Sequence, residues 1–182
     1  MKYVRIPKER VGVLIGTDGE TKKTIERISH VHLEIDSEEG EVVFNEQEAK
    51  DPLIPLKVED VIRAIGRGFS PEHAFRIFGE ETELYIFDIY DYVGKKESHL
   101  IRVKARVIGR EGKTKRVIEG LTGGILAVYG HTVAVIADFE SMDIAKKAID
   151  MLLSGSEHPT VYRYLEREMK KYHLGQRISR DD

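Results

Sequence analysis

A twelve-residue segment occurs twice in the chain, and this repeat limits the possible folds more than any other feature. Residues 15–26 read IGTDGETKKTIE and residues 108–119 read IGREGKTKRVIE, and the two are identical at seven of twelve positions. Each matched pair of residues is separated by 93 positions. This period is far longer than the unit of a solenoid, so the chain is predicted to contain two tandem copies of one small domain.

Each copy places a Gly-x-x-Gly loop between an apolar run and an amphipathic segment with helical spacing. The apolar positions of that segment are Ile25 and Ile28 in the first copy and Val117, Ile118 and Leu121 in the second. Paired glycines let the backbone turn sharply and approach a large ligand, and the free amides at the start of the helix attract anions. The pattern resembles a KH domain, in which a GxxG loop clamps the backbone of a short single strand and the bases lie in an adjacent apolar groove.

The loop has two other interpretations, a corner between two helices and a nucleotide-binding P-loop. A single GxxG is more often a plain corner between two helices, but here the flanking apolar run, helix and strand-like segment all repeat with it. Gly112-Lys113-Thr114 also resembles the end of a nucleotide-binding P-loop, which needs a glycine five residues earlier. That position is Val107, so a P-loop is disfavoured.

Composition excludes several other classes of protein. Hydrophobic residues make up 41% of the chain, enough for a packed core, yet no apolar run has the length of a membrane span. The first residues lack a signal-peptide pattern, so a cytoplasmic protein without membrane association is expected. Cysteine is absent, which excludes disulfides and thiolate metal sites, and no cofactor or metal site is expected.

The charge distribution distinguishes the two copies. The net charge is −3, but seven basic side chains lie between Arg102 and Arg116 and only Glu111 opposes them. Around the first loop the basic and acidic residues nearly balance. The second copy is therefore predicted to provide most of the affinity for a polyanion.

The order of predicted elements is strand, helix, helix, strand, strand, helix in each copy, which is the topology of a type I (eukaryotic-type) KH domain. The predicted fold is α+β: two tandem type I KH domains, each a three-stranded sheet packed by three helices, with an extra C-terminal helix. The first domain is assigned to residues 1–79, including an extra helix at 71–78, and the second to residues 80–182. The extra C-terminal helix is predicted over residues 159–173 and is expected to brace the domains or to bind a partner. Residues 175–182 are expected to fray.

Over nearly its whole length the sequence resembles the archaeal branch of the KH-domain ribosome assembly factors, the Dim, Pno and Krr group. The resemblance is most specific in the segment VIGREGKTKRVIEGLTG, residues 107–123. It implies binding to the 3′ region of small-subunit ribosomal RNA, together with the 3′-end endonuclease and the dimethyltransferase as protein partners. Eukaryotic relatives tend to have a degenerate first loop, whereas Gly16 and Gly19 are intact here.

The candidate RNA-binding residues lie mostly in the second copy. Phosphate contacts at the rim are expected from Arg106, Lys113, Lys115 and Arg116, and the apolar floor from Val107, Ile108, Ile118, Leu126 and Val128. The second-copy candidates are completed by Lys104, Gly109, Arg110, Glu111 and Gly112. A secondary set in the first copy comprises Ile15, Gly16, Thr17, Asp18, Gly19, Lys22 and Lys23.

Other functions remain open from the sequence. The main alternative is a general KH-type regulator of mRNA or an accessory subunit in RNA decay. A nuclease or nucleotide hydrolase is disfavoured because the acidic clusters at 38–41 and 80–83 are typical of a solvated turn and a linker. A scaffold that binds only protein would leave the basic segment without a purpose. The protein is expected not to be an enzyme.

Overall fold

The computed structural model describes residues 1–180, and the surroundings of side chains up to residue 177. These residues form two compact units that divide after Leu84. The first unit contains, in order, β1 (Lys2–Arg5), α1 (Lys8–Ile15), α2 (Glu20–Ser29), β2 (Leu33–Asp36), β3 (Glu41–Phe44), α3 (Ile54–Gly66) and α4 (Pro71–Ala74). A 3₁₀ turn at Thr17–Gly19 joins α1 to α2, and a second at Phe75–Phe78 follows α4.

The sheet of the first unit is antiparallel, in the order β1-β3-β2. Its register pairs Val4 with Val42 and Leu33 with Phe44, and all four side chains are buried. Alternate residues of the strands are exposed, as expected for a sheet covered on one face. Helices α1, α2 and α3 pack together and complete the core with Leu14, Ile25 and Ile62.

The second unit repeats this arrangement. Its elements are β4 (Thr82–Asp88), α5 (Tyr90–Val93), α6 (Glu97–Ile108), α7 (Lys113–Thr122), β5 (Ile125–Tyr129), β6 (Thr132–Asp138), α8 (Phe139–Leu153) and α9 (His158–Arg180). The strand order β4-β6-β5 matches that of the first sheet, and Leu126 pairs with Val135. Val107, Ile118 and Ile149 meet in the core beneath this sheet. The predicted class, α+β with two three-stranded sheets and an extra C-terminal helix, is confirmed within residues 1–180.

Helix α9 belongs to the packing of the second unit. Val161, Leu165 and Met169 form its buried stripe, at i, i+4 and i+8. The stripe packs against α7 and α8. The Glu140 carboxylate at the start of α8 accepts hydrogen bonds from Tyr172 and Gln176 of α9, which adds a polar tie further along the helix.

Several predicted boundaries differ from the structure. Helix α9 continues through Gly175 to Arg180, where the sequence predicted fraying; Asp181 and Asp182 lie outside the described residues. The segment at 91–96, predicted as a long turn, contains the short helix α5. The predicted helix at 71–78 is instead the single turn α4 followed by a 3₁₀ turn, although Ser70 caps it as expected. The compact units divide after Leu84, and the assignment of the domains to residues 1–79 and 80–182 stays a prediction.

Candidate nucleic-acid interface

The two GxxG loops have the same backbone conformation. In the first loop, residues 16–19, Gly16 has φ 76° and ψ 171° and Gly19 has φ 75° and ψ 16°. In the second loop, residues 109–112, the corresponding glycines have φ 77°, ψ 169° and φ 73°, ψ 16°. In both loops the first glycine ends one helix and the second precedes the next, so the repeat in sequence is a repeat in geometry.

The first glycine of each loop is required sterically as well as by its dihedral angles. A Cβ atom on Gly109 would lie 2.3 Å from Thr114 Oγ1 and 2.6 Å from Thr114 N. A Cβ atom on Gly16 would lie 2.4 Å from the equivalent Thr21 Oγ1. The helix that follows each loop is therefore packed directly against the glycine backbone, and only glycine fits there.

The middle of each loop is held by a cation from the following helix. Arg116 Nη1 donates to the carbonyl of Glu111 at 2.6 Å, and Lys23 Nζ donates to the carbonyl of Asp18 at 2.8 Å. Both acceptor residues have φ 52°, a left-handed conformation uncommon outside glycine. These contacts fix the loop shape and bring one positive charge to each loop.

A glutamate in each copy ties the helix after the loop to the neighbouring strand. Glu119 accepts from the backbone N–H of Leu126 at 2.9 Å and lies 3.4 Å from Lys115 Nζ. The equivalent Glu26 accepts from Leu33 N and lies 3.8 Å from Lys22 Nζ. The tie positions α7 beside β5 and α2 beside β2, which are the walls expected for a KH groove. Lys115 and Lys22 are consequently paired with a carboxylate in the free protein.

The apolar floor expected from the sequence divides into surface and core residues. Ile108 is 36% exposed at the end of α6, and Val128 is half-buried on β5. Val107, Ile118 and Leu126 are buried within the core cluster. These three side chains therefore support the groove from beneath, and the surface available to a base comes from Ile108 and Val128.

Arg106, expected at the rim as a phosphate contact, is bonded to backbone carbonyls of its own unit. Its guanidinium donates to the carbonyls of Leu152, at 2.9 Å, and Ser156, in the connection between α8 and α9. The Arg106 carbonyl in turn accepts from His158 Nε2 at 2.9 Å. The side chain thus satisfies a carbonyl that the end of α8 leaves unpaired, and two of its five N–H donors are used within the protein.

The cations that remain available lie on and beside the second loop. Arg110 and Lys113 are exposed and Lys104 is half-buried. Within residues 1–177, none of these three side chains has an ion-pair partner. In the first copy the positions of Arg110 and Lys113 are taken by Thr17 and Glu20. The two loops therefore have one geometry and different electrostatic fields.

Tyr162 and His158 of α9 contact the helices on either side of the second loop, which was not predicted from the sequence. The Tyr162 hydroxyl lies 2.9 Å from Thr114 Oγ1, next to Gly109, and His158 donates to Arg106 as described above. Both contacts join residues about fifty positions apart. The apolar stripe of α9 predicts that this helix has a buried face, but it does not predict which helix covers that face.

Two further properties of the described residues bear on the site. Within them, no group of three or more histidine, aspartate or glutamate side chains is arranged to hold a metal ion. No helix among them is both long enough and apolar enough to cross a membrane.

Comparison with known proteins agrees with this geometry. Residues 83–170 match the model of the second KH domain of PNO1, described as a eukaryotic-type (type I) KH domain, and residues 2–50 match a general KH-domain model. A KH domain-containing protein of Methanocaldococcus jannaschii is 47% identical over 171 residues, covering 94% of this chain and 75% of that protein. The chain belongs to the KH-domain protein family.

Two solved structures of Dim2p are similar to this chain in sequence and in fold. Dim2p from Pyrococcus horikoshii is 48% identical with a TM-score of 0.84, covering 91% of this chain and 98% of that one. A complex of a/eIF2alpha, aDim2p and rRNA from the same organism contains a chain that is 47% identical with a TM-score of 0.86, covering 93% and 94%. The KH-domain family assignment made from the GxxG repeat is confirmed, including its PNO1 and Dim2 branch.

Proposed function

We propose that the protein is a ribosome assembly factor that binds single-stranded RNA through the loop and groove of its second KH domain. The observation that carries the proposal is the second loop, where a sterically fixed GxxG backbone carries the exposed, unpaired cations Arg110 and Lys113. The rRNA-containing complex among the structural relatives supports RNA as the ligand. A GxxG loop of this form clamps the sugar-phosphate backbone and leaves the bases for the adjacent groove.

Within this function, we propose the 3′ region of small-subunit rRNA as the target. We further propose the endonuclease and the dimethyltransferase that mature that end as protein partners. The support is the relationship to Dim2p and PNO1. Footprinting on total RNA tests the target: protection concentrated in one region at the 3′ end of small-subunit rRNA is expected. Scattered sites in many transcripts would favour a general mRNA regulator or an RNA-decay subunit instead.

A double substitution in the second loop tests the site. Arg110→Asp with Glu111→Asp should leave the fold intact, because both side chains are exposed and aspartate tolerates the left-handed conformation at position 111. It should weaken RNA binding by at least about tenfold, since it replaces an unpaired cation with an anion beside the phosphates. The matched control is Thr17→Asp in the first loop, where Asp18 already occupies the second position. A larger loss of affinity in the control would assign the main site to the first domain.

We also propose that the protein has no catalytic activity of its own. The proposal is supported by Val107 at the position where a P-loop needs glycine. Turnover of ATP by the pure protein that disappears in Lys113→Ala would contradict it.

A further inference from the structure

The packing of α9 along α7 in the second unit is a part of the structure that the first unit does not repeat. Tyr162 meets Thr114 at the start of α7, and Glu166 and Met169 border a cavity with Gly120 and Leu121 near its end. Tyr162, Glu166 and Met169 are spaced i, i+4 and i+7, so they share one face of α9. Because α9 follows α7 from its first turn to its last, the two helices run in the same direction there.

The equivalent face of α2 in the first unit is not covered by a long helix; the short α4 and the turn after it border it through Pro71 and Phe75. We call it the α2 outer face and define it by Thr21, Thr24 and Ile28, which correspond to Thr114, Val117 and Leu121. Ile28 is 41% exposed, whereas Leu121 is half-buried and packs against the core. Among residues 1–177, no side chain or backbone group hydrogen-bonds to the Thr21 hydroxyl, the equivalent of the one that meets Tyr162.

An open cavity of about 500 Å³ lies on this face. Its lining comes from α1, the first loop, α2 and the α4 segment: Gly12, Gly16, Thr17, Thr21, Thr24, Pro71 and Phe75. The position of Tyr162 in the second unit corresponds to the Thr21 end of this cavity. The cavity is large enough for an aromatic side chain, and the Thr21 hydroxyl could form a hydrogen bond with that side chain.

The α2 outer face is separate from the groove proposed to bind RNA. Successive residues of a helix are rotated by about 100°, which places Thr21, Thr24 and Ile28 roughly 150° around α2 from Lys22 and Glu26. Glu26 bonds to β2, so Lys22 and Glu26 mark the groove side. A ligand of the outer face would therefore lie on the opposite side of α2 from Lys22 and Glu26, although its cavity reaches Gly16 and Thr17 of the first loop.

We propose that the α2 outer face docks an amphipathic helix of a protein partner. The helix presents an aromatic hydroxyl, a carboxylate and an apolar side chain at i, i+4 and i+7, the same three groups that α9 presents to α7. The charge on the face supports this occupant, because Arg27 takes the position of Gly120, which lines the same cavity as Glu166 in the second unit. A helix seated like α9 would therefore bring its carboxylate to an exposed arginine.

The same charges disfavour RNA on this face. Glu20 lines the cavity at the position of Lys113, and Thr17 replaces Arg110. A phosphate backbone needs cations along its path, and a carboxylate at the start of the face repels it. The chain's own α9 is not the occupant, since its apolar stripe is already buried against α7 and α8.

A synthetic peptide of residues 157–177 is the probe for the experiment, because it is a helix known to fit this kind of face. Titrated into the isotope-labelled full chain, it should shift the amide resonances of Thr21, Thr24 and Ile28 saturably, with a Kd of roughly 0.1 to 1 mM. Ile28→Asp in the chain should abolish these shifts. Ile101→Asp is the control, since Ile101 is a 60% exposed apolar side chain on α6 of the second unit.

A charge swap tests the orientation of the helix. A peptide with Glu166→Lys should bind the chain about two- to fivefold more weakly, the range of an exposed ion pair, and Arg27→Glu in the chain should restore its affinity. The absence of saturable shifts on the α2 outer face up to about 2 mM peptide, well beyond the expected Kd, would overturn the proposal. Single-stranded RNA that displaces the peptide from this face would also overturn it, and would assign the face to nucleic acid.

Discussion

The two glycines of the second loop are needed for different physical reasons. Gly109 combines positive φ with an extended ψ, a region essentially restricted to glycine, and its position for a Cβ is blocked by Thr114. Gly112 lies in the ordinary left-handed region, and a Cβ there would meet only Arg116 Nη1 at 3.4 Å. The loop therefore cannot accept a side chain at Gly109 without strain and a clash, whereas a small side chain at Gly112 has room.

Gly109→Ala should destabilise the protein by at least about 3 kcal/mol, because strain and a backbone clash add. Gly112→Ala should cost about 1 kcal/mol, the penalty of a left-handed alanine. Urea denaturation of the two variants measures the difference. Equal losses of unfolding free energy would mean that the helix after the loop can move away from residue 109.

Arg106 and Lys113 are both basic and close to the loop, yet substituting Arg106 should reduce stability, whereas substituting Lys113 should reduce RNA affinity. Arg106→Lys keeps the charge but cannot reach both Leu152 and Ser156 carbonyls, so it should lower the unfolding free energy by about 1–3 kcal/mol with little change in RNA affinity. Lys113→Ala should leave the melting temperature unchanged and weaken RNA binding. Measuring stability and RNA affinity on the same samples separates a structural role from a binding role. An Arg106→Lys variant that is stable but binds RNA weakly would show that Arg106 contacts RNA.

At the scale of elements, the features predicted from the sequence are those that depend on residues close together along the chain. The bounds of α2 and the equivalence of the two loops follow from glycine, apolar spacing and a constant offset. The end of α9 was missed because Gly175 normally stops a helix, while here tertiary anchoring carries the helix past it. The carbonyl partners of Arg106 were not predicted for a related reason: they lie 46 and 50 residues away, and a charge in the sequence does not reveal which carbonyl it will satisfy.

The anchoring of α9 should depend on pH through Glu140. Hydrogen bonds from Tyr172 and Gln176 hold the pKa of this carboxyl below its usual value. A carboxyl whose pKa is lowered by folding adds stability above the pKa of the unfolded chain, and this contribution is lost as pH falls through the folded value. Tyr172→Phe should therefore raise the pKa of Glu140, as followed by carboxyl carbon resonances in an NMR titration. An unchanged pKa would mean that the bond from Tyr172 does not form in solution.

At the scale of the whole molecule, a net charge of −3 coexists with a concentrated basic site. Binding to a polyanion then depends on local charges rather than on the total, because at physiological salt the field of distant acidic groups is screened within about 8 Å. The repeated scaffold supplies two loops of one shape, and substitutions at positions such as 17 and 110, or 20 and 113, give them different fields. The sequence predicted this asymmetry directly, since charge at exposed positions needs no knowledge of packing.

The salt dependence of RNA binding tests how many of these charges act together. If about three phosphates are neutralised, the slope of log affinity against log salt should be roughly −2 for a single strand. Lys113→Ala should flatten that slope by about 0.7 with little change in sequence preference. Ile108→Ala should reduce affinity at an unchanged slope and unchanged melting temperature, because Ile108 is partly exposed and is proposed to contact bases rather than phosphates. Duplex RNA of the same length should bind more weakly, since its bases are hidden from the groove; equal or tighter binding to the duplex would contradict the KH mechanism.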